Sequence, residues 1–207
     1  DNIGIGNIIM IAPEGPHAIA GGLAQMIVGL SESLARRRFG VTIITPLYEE
    51  AQGNKHRSAE EVLSDGIVIE GEKALLSYIG QIKVPIGPRL SLTDGSVSAA
   101  PLNAAVTVYS ASANSLRVLF LRHPKLASRL YPTEWADQQI MKAIFLSRGA
   151  LELIRDPRFA IEPSIIVSND WLAGLAQAYL QTDPRYANDP LLRQCATMHI
   201  IHNCGRD

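Results

Sequence analysis

Short apolar runs bounded by glycine, proline or polar residues alternate along this chain with stretches in which apolar positions recur every three or four residues. The first run, NIIMIAP (Asn7 to Pro13), is rich in isoleucine and reads as a strand covered on both faces. Leu23, Met26, Ile27, Leu30 and Leu34 then mark one face of a helix, which the pattern ends at Gly40. VTIITPL (Val41 to Leu47) is a second buried strand. Strand, helix and strand within about 40 residues make a βαβ unit, the building block of a parallel sheet.

The middle of the chain has another texture. EEAQGNKHRSAEE (Glu49 to Glu61) is polar and reads as a surface loop. Four short strands follow in the pattern: Asp65 to Gly71, Ala74 to Val84, Ala104 to Ser112 and Leu116 to His123. The first two read as a hairpin, the core of an insertion around residues 65–110. Beyond it the period returns to that of a helix. Pro132 and Thr133 before Glu134 form a helix start, and Ile140, Ile144, Leu151 and Ile154 carry one face to Arg155. Pro163 to Asp170 (PSIIVSND) is a strand with a polar end, a helix starts at Trp171, and Cys195 to Asn203 is a last strand, again with a polar end. The alternation predicts an α/β fold with a mostly parallel sheet flanked by helices, as a single domain over residues 1–207.

Composition narrows the function classes. The 207 residues are 47% hydrophobic and 19% charged with a net charge of −1, which gives no electrostatic footprint for nucleic acid or an anionic membrane. The one basic cluster, Arg36 to Arg38, falls where a helix ends, and cations there complement its dipole. No apolar run approaches the roughly 20 residues of a membrane span. The start DNIGIGN lacks the features of a secretory signal. Cys195 and Cys204 make no Cys-x-x-Cys pattern, so a reducing compartment, the cytoplasm, is the expectation. The chain starts without methionine and reads as a piece of a longer protein.

Ligands of open α/β sheets bind at the carboxyl ends of the strands, and three polar groups gather there. Gly21 and Gly22 follow the first strand; they make a tight turn, or they let a ligand approach bare N–H groups at a helix N-terminus. Gly-x-Gly-x-x-Gly is absent after the strand, and the GIG of Gly4 to Gly6 lies on its wrong side. Asn169, Asp170 and Trp171 form the second group; Asp170 is a helix N-cap or a site residue, Trp171 a core residue or a sugar platform. His202 and Asn203 form the third, with His202 at the end of a central strand and His199 turned toward a helix layer. His17, His56 and His123 fall in loops without metal-ligand spacing, so no metal is expected.

Together these pieces resemble the N-terminal domain of bacterial glycogen synthases and plant starch synthases, glycosyltransferase family 5. That family opens with a strand, Lys-x-Gly-Gly-Leu-Ala-Asp, a long helix, and a strand ending in Pro and Tyr. Here IAGGLAQ (Ile19 to Gln25) is followed by a helix and by VTIITPLY with Pro46 and Tyr48. The family's His-Asp-Trp-His-x-Gly-Leu is similar to NDWLAGLAQAYL (Asn169 to Leu180), and its Thr-x-His-Asn to IIHN (Ile200 to Asn203). FLSRGALELI and LFLRHPKLASRLY resemble the elements before these. The resemblance implies one half of a GT-B enzyme, two facing Rossmann-like domains with catalysis between them. It implies retaining transfer of glucose from ADP-glucose or UDP-glucose to an α-1,4-glucan, with no cofactor and no metal. The absent second half would hold most of the nucleotide sugar, so this fragment alone would be inactive. By the same resemblance Gly21 and Gly22 approach the donor's phosphates or transferred glucose, His202 lies beside that glucose, and Asp170 shapes the acceptor side. Asn169, Trp171, Asn203 and Gln25 then line the cleft.

The departures are as specific. The family's lysine is Ile19, its aspartate after Gly-Gly-Leu-Ala is Gln25, and the histidines flanking Asp-Trp are Asn169 and Leu172. Where the family has Asp-Asn near the start of its long helix this chain has Gln138 and Gln139, with Asp137 one residue earlier. These changes leave open a non-catalytic glucan-binding or regulatory relative, or a retaining transferase with another donor or acceptor.

Overall fold

The computed structural model describes residues 6–51, 56–90, 97–130 and 137–202. In chain order its elements are β1 (Asn7–Ile11), α1 (Gly22–Arg36), β2 (Gly40–Pro46), α2 (Ala59–Asp65), β3 (Ile67–Ile69), β4 (Glu72–Ala74), β5 (Ser77–Leu90), β6 (Val97–Ala113) and β7 (Leu116–Arg122). Then follow α3 (Pro124–Ala127), α4 (Asp137–Arg155), β8 (Pro163–Asn169), α5 (Asp170–Thr182), α6 (Pro184–Ala187) and β9 (Ala196–Ile200). The expected helix start at Pro132 to Glu134 lies outside the described residues.

Seven strands form one sheet in the order β5-β6-β7-β2-β1-β8-β9. β7, β2, β1, β8 and β9 run parallel, while β6 is antiparallel to both β5 and β7. Alternate residues of the central strands enter opposite cores, as the pleat requires. Ile9 and Ile11 pack with α4 and α5 through Leu146, Leu153, Leu172 and Ala173. Met10 and Ala12 pack on the other face with α1 through Leu23, Ile27 and Ala35. The result is the α/β fold expected, a mostly parallel sheet flanked by helices.

Three local readings change. The helix turns out not at Gly40 but at Arg38, whose φ of 67° takes the left-handed conformation glycine usually supplies. Gly40 instead opens β2 against the side chain of Asn7, where a Cβ would collide. α2 begins inside the polar stretch expected as loop, started by a capping box in which Ser58 and Glu61 satisfy each other's backbone N–H. The first expected hairpin pairs differently: β3 joins β4 in a separate two-stranded sheet. Glu70 and Gly71, with φ of 52° and 82°, make the two-residue turn with both φ positive that matches strand twist. The long hairpin is β5–β6, and it extends the main sheet by lying against β7.

Strand order fixes the functional edge. From β1 the chain builds outward to β2, then to β7, and afterwards crosses back to place β8 on the other side of β1. The carboxyl ends of β1 and β8 are therefore where the loops diverge, the crevice such sheets offer to ligands. Among the described residues β9 is the last strand on that side of the sheet, and His202 follows its carboxyl end.

Truncating the central strands is expected to be costly. Ile44→Ala, at a fully buried position, should lower unfolding free energy by about 2–5 kcal/mol in urea titration. Val68→Ala, at a position 62% exposed on β3, should cost less than about 0.5 kcal/mol.

Candidate active site

The segment between β1 and α1 is tied down from several sides. Tyr48 Oη donates to Pro13 O at 2.7 Å, and Tyr48 N–H donates to His17 Nε2 at 3.5 Å. Ala18 bridges to Gly15 and to His56, and Arg57 N–H donates to His17 O. The ring of His17 stacks on Tyr48 and meets Phe120 and His56 edge-on. Burial, reinforced by the charges of His56 and Arg57, drives the pKa of His17 down to about 3. His56 is likewise lowered by burial, against the opposing pull of Glu14 and Glu61. Both imidazoles are thus neutral wedges under the loop.

On that base the glycine pair is presented bare. Gly21 is the N-cap of α1, extended at φ −158°, with no side-chain cap. Both glycines are exposed, and a Cβ built on either would meet nothing within 4 Å. Neither crowding nor a positive φ inside this domain calls for glycine, so the tight-turn reading loses its reason. What remains is access to backbone from outside. The first turn of α1 has N–H groups with no intrahelical partner, at the positive end of a 15-residue helix. Glu14 Oε2 accepts from the two amides just before it, Ala20 at 3.2 Å and Gly21 at 3.3 Å.

The end of β8 supplies the second wall. Asn169, fully buried, donates through Nδ2 to Ile11 O at 3.3 Å and so stitches β8 to β1. With its amide nitrogen committed to a carbonyl, its Oδ1 faces His202 Nε2 at 3.3 Å. The ring nitrogen must then carry the proton, which leaves Nδ1 of a neutral His202 as an acceptor. Asp170 is not the N-cap: Asn169 occupies that position without a side-chain cap bond, and Asp170 is the first residue of α5. Its φ is 60°, which costs a non-glycine residue on the order of 1 kcal/mol. It is 3% exposed, and Oδ1 is buried without a hydrogen-bond partner among the described residues. Strain and an unsatisfied carboxylate oxygen at one residue are costs that mark functional positions. Trp171 beside it is 45% exposed and not in the core.

The remaining expected residues fall as follows. Gln25 is exposed on α1, Ile19 is half-buried in the loop, and Asn203 lies outside the described residues. Leu172 is buried in the core between sheet and helices, turned away from the cleft. His199 lies against α5 near Gly174, its Nδ1 2.8 Å from Ser168 Oγ, and so faces a helix layer as expected. No group of three or more metal-ligating side chains occurs among the described residues, and no helix there is long and apolar enough to cross a membrane.

A family model described as "Starch synthase catalytic domain" matches residues 7–207. The chain belongs to that family. It is 29% identical over 204 residues to a glycogen synthase of Syntrophotalea carbinolica, covering 96% of this chain and 35% of that protein. Against glycogen synthase 1 of Geobacter sulfurreducens the identity is 29% over 204 residues, covering 95% and 34%. Among solved structures, the catalytic domain of starch synthase IV from Arabidopsis thaliana, bound to ADP and acarbose, superposes with a TM-score of 0.65. That superposition has 23% identity over 96% of this chain and 34% of the other. The chain thus spans about a third of the length of these relatives. Its fold is that of the matching third of a starch synthase catalytic domain.

Sequence reading missed Glu14, His17, Tyr48 and His56 as parts of this site. The signal was there for Glu14, an acid placed directly after an apolar strand with proline on both sides.

Two consequences are measurable. Because His17 titrates near 3 when folded and near 6.5 when unfolded, its contribution to stability is present above pH 6.5 and lost as pH falls toward 3. Between pH 6.5 and 5 the urea-derived unfolding free energy should fall by about 2 kcal/mol, and His17→Gln should flatten that slope. Asp170→Gly should raise stability by about 1 kcal/mol, since glycine accepts the same φ, while glucose transfer or glucan affinity drops. A variant that loses stability would remove the strain from the site.

Proposed function

We propose that this chain is the acceptor-side half of a retaining glucosyltransferase, with the nucleotide sugar's other contacts supplied by a second domain. The carrying observation is the exposed glycine turn at the start of α1, reached by the loop after β1, together with the strained Asp170 at the end of the neighbouring strand β8. ADP-glucose or UDP-glucose is the donor and the end of an α-1,4-glucan the acceptor. The ADP and acarbose named for the starch synthase IV structure support those two ligand classes. In the transfer the bond from glucose C1 to the diphosphate oxygen breaks, a bond from C1 to the acceptor's hydroxyl oxygen forms, and the nucleoside diphosphate leaves with the electron pair and takes up the hydroxyl's proton. His202 sits beside the transferred glucose and offers Nδ1 to a sugar hydroxyl. Gly21 and Gly22 receive the donor, Asp170 with Trp171 and Gln25 lines the acceptor side, and the buried Asn169 positions His202. Cys195, whose thiol donates to Pro163 O and Leu191 O, is consistent with a reduced cytoplasmic protein.

Ile19 and Gln25 favour a second reading, a glucan-binding relative without turnover, because the loop lacks the family's cation. The discriminating experiment offers labelled ADP-glucose and UDP-glucose separately to the full-length protein with glycogen as primer. Incorporation from either establishes the transferase. Glycogen retention without incorporation establishes the binding relative. In a working enzyme His202→Ala should cut transfer at least about tenfold; unchanged turnover would take His202 out of the site.

A further inference from the structure

Among the described residues Lys142 is the only lysine or arginine that is buried, at 3% exposure. It stands in the second turn of α4, where its amine donates one long hydrogen bond to Leu130 O at 3.4 Å and lies 5.5 Å from the centre of the Tyr48 ring. An ammonium has three hydrogens to donate, so that surrounding leaves it under-satisfied. Burial alone lowers its pKa to about 8, with no carboxylate pulling it back up, and it keeps its proton at pH 7. A buried charge without an acid beside it is costly and calls for a reason. Lys142 lines a pocket of about 450 Å³ between α3 and the start of α4, whose other polar walls among the described residues are Lys125, Ser128 and Gln138. Lys125 is exposed, and its amine too meets no carboxylate among the described residues. The acids of the adjoining loop are taken by arginines. Glu49, whose N–H donates to Ala127 O at 2.7 Å, accepts from Arg122 at 2.7 and 2.9 Å, and Glu50 turns to Arg129 at 3.8 Å. The described lining therefore holds two positive charges and no negative one.

We propose that this pocket seats a phosphate monoester carried on the sugar ligand of the crevice, held between the amines of Lys142 and Lys125. The pocket adjoins that crevice. α3 follows the carboxyl end of β7, two strand spacings or about 10 Å from β1, and Lys142 reaches the same Tyr48 that anchors the loop after β1. A lysine amine is a compact point charge with three donors, which suits a phosphate's several oxygens. A monoester carries about −1.5 to −2 charges at pH 7, which matches two lysines, whereas a carboxylate matches one. The volume is that of a pocket for a small ligand and admits a sugar ring behind the anion. The assignment rests on the proposed function for its sugar and on the pocket alone for its charge.

The test is calorimetric, on the full-length protein, with maltotetraose, maltotetraose bearing one 6-phosphate, and inorganic phosphate as probes. The phosphorylated sugar should bind at least about tenfold tighter than the neutral one at low salt, with the advantage shrinking as ionic strength rises. Lys142→Met, which keeps the apolar stem, and Lys125→Gln should each cut that ratio of affinities by about fivefold or more. Lys73→Gln, on the remote strand β4, should leave the ratio as it is. Urea unfolding of each variant, run alongside, separates a merely structural Lys142 from a binding one. A structural lysine would change stability while the ratio stays constant, and that result overturns the proposal. So does a protein that shows no preference for the phosphorylated sugar. Inorganic phosphate bound as tightly as the phosphorylated sugar, and through the same lysines, would mark a site for the free anion and overturn the sugar-borne assignment. Glucose transfer by the unaltered protein, measured in parallel, judges the proposed reaction separately. Absence of transfer refutes that reaction, while the lysine dependence of the affinity ratio still decides the role of the pocket.

Discussion

Where parallel strands end and their loops diverge, backbone groups lose the partners the sheet gave them, and buried ones must be satisfied some other way. The functional edge of this domain is built from the side chains that meet that demand. Asn169 gives its amide hydrogens to Ile11 O and Val167 O, closing the gap between β1 and β8. Tyr48 Oη takes up Pro13 O, and Glu14 takes up the amides of Ala20 and Gly21. Each of these bonds also fixes a direction. The first points Asn169 Oδ1 at His202, the second holds the loop down on His17, and the third turns the glycine backbone outward. Remove them and the same residues would still lie near the crevice, but without a common geometry.

The costs sit next to these bonds. Asp170 is held with φ of 60° and a buried oxygen that has no hydrogen-bond partner among the described residues. The strain persists because the residue is the joint between β8, paired on both sides with β1 and β9, and α5, packed on the main core. A sugar hydroxyl is the kind of group that would satisfy the free oxygen at that joint. Lys142 is a further buried cost on this side of the sheet. It is 3% exposed, 5.5 Å from the Tyr48 ring, and burial lowers its pKa to about 8.

Much of the architecture was legible in the residues because buried parallel strands and amphipathic helices write strong patterns. Asn7 to Pro13, Val41 to Leu47 and Pro163 to Asp170 became β1, β2 and β8 within a residue or two at each end. The failures are as physical. α2 carries charge on most of its surface and buries little beyond Ala59 and Val62, so its period was hidden in a polar run, and only its capping box announced it. The β3–β4 turn depends on Glu70 adopting a positive φ, which its identity does not advertise. The exposure of β9 is not legible either, because Ala196 to Ile200 looks apolar although most of its residues are exposed among the described residues. At the site, the glycines and the Asn-Asp-Trp run were visible through their resemblance to a family, whereas Glu14 and the two buried imidazoles gain meaning only from what they touch.

The proposed function puts ligand contact at the starts of α1 and α5. Amide hydrogen exchange of the full-length protein, with and without saturating maltotetraose and ADP-glucose, tests it most directly. Slowed exchange confined to Gly22 through Ala24 and to Asp170 through Leu172, with β3–β4 unchanged, is the expected result. Protection concentrated instead on the β5–β6 hairpin, with the two turns exchanging as before, would contradict it.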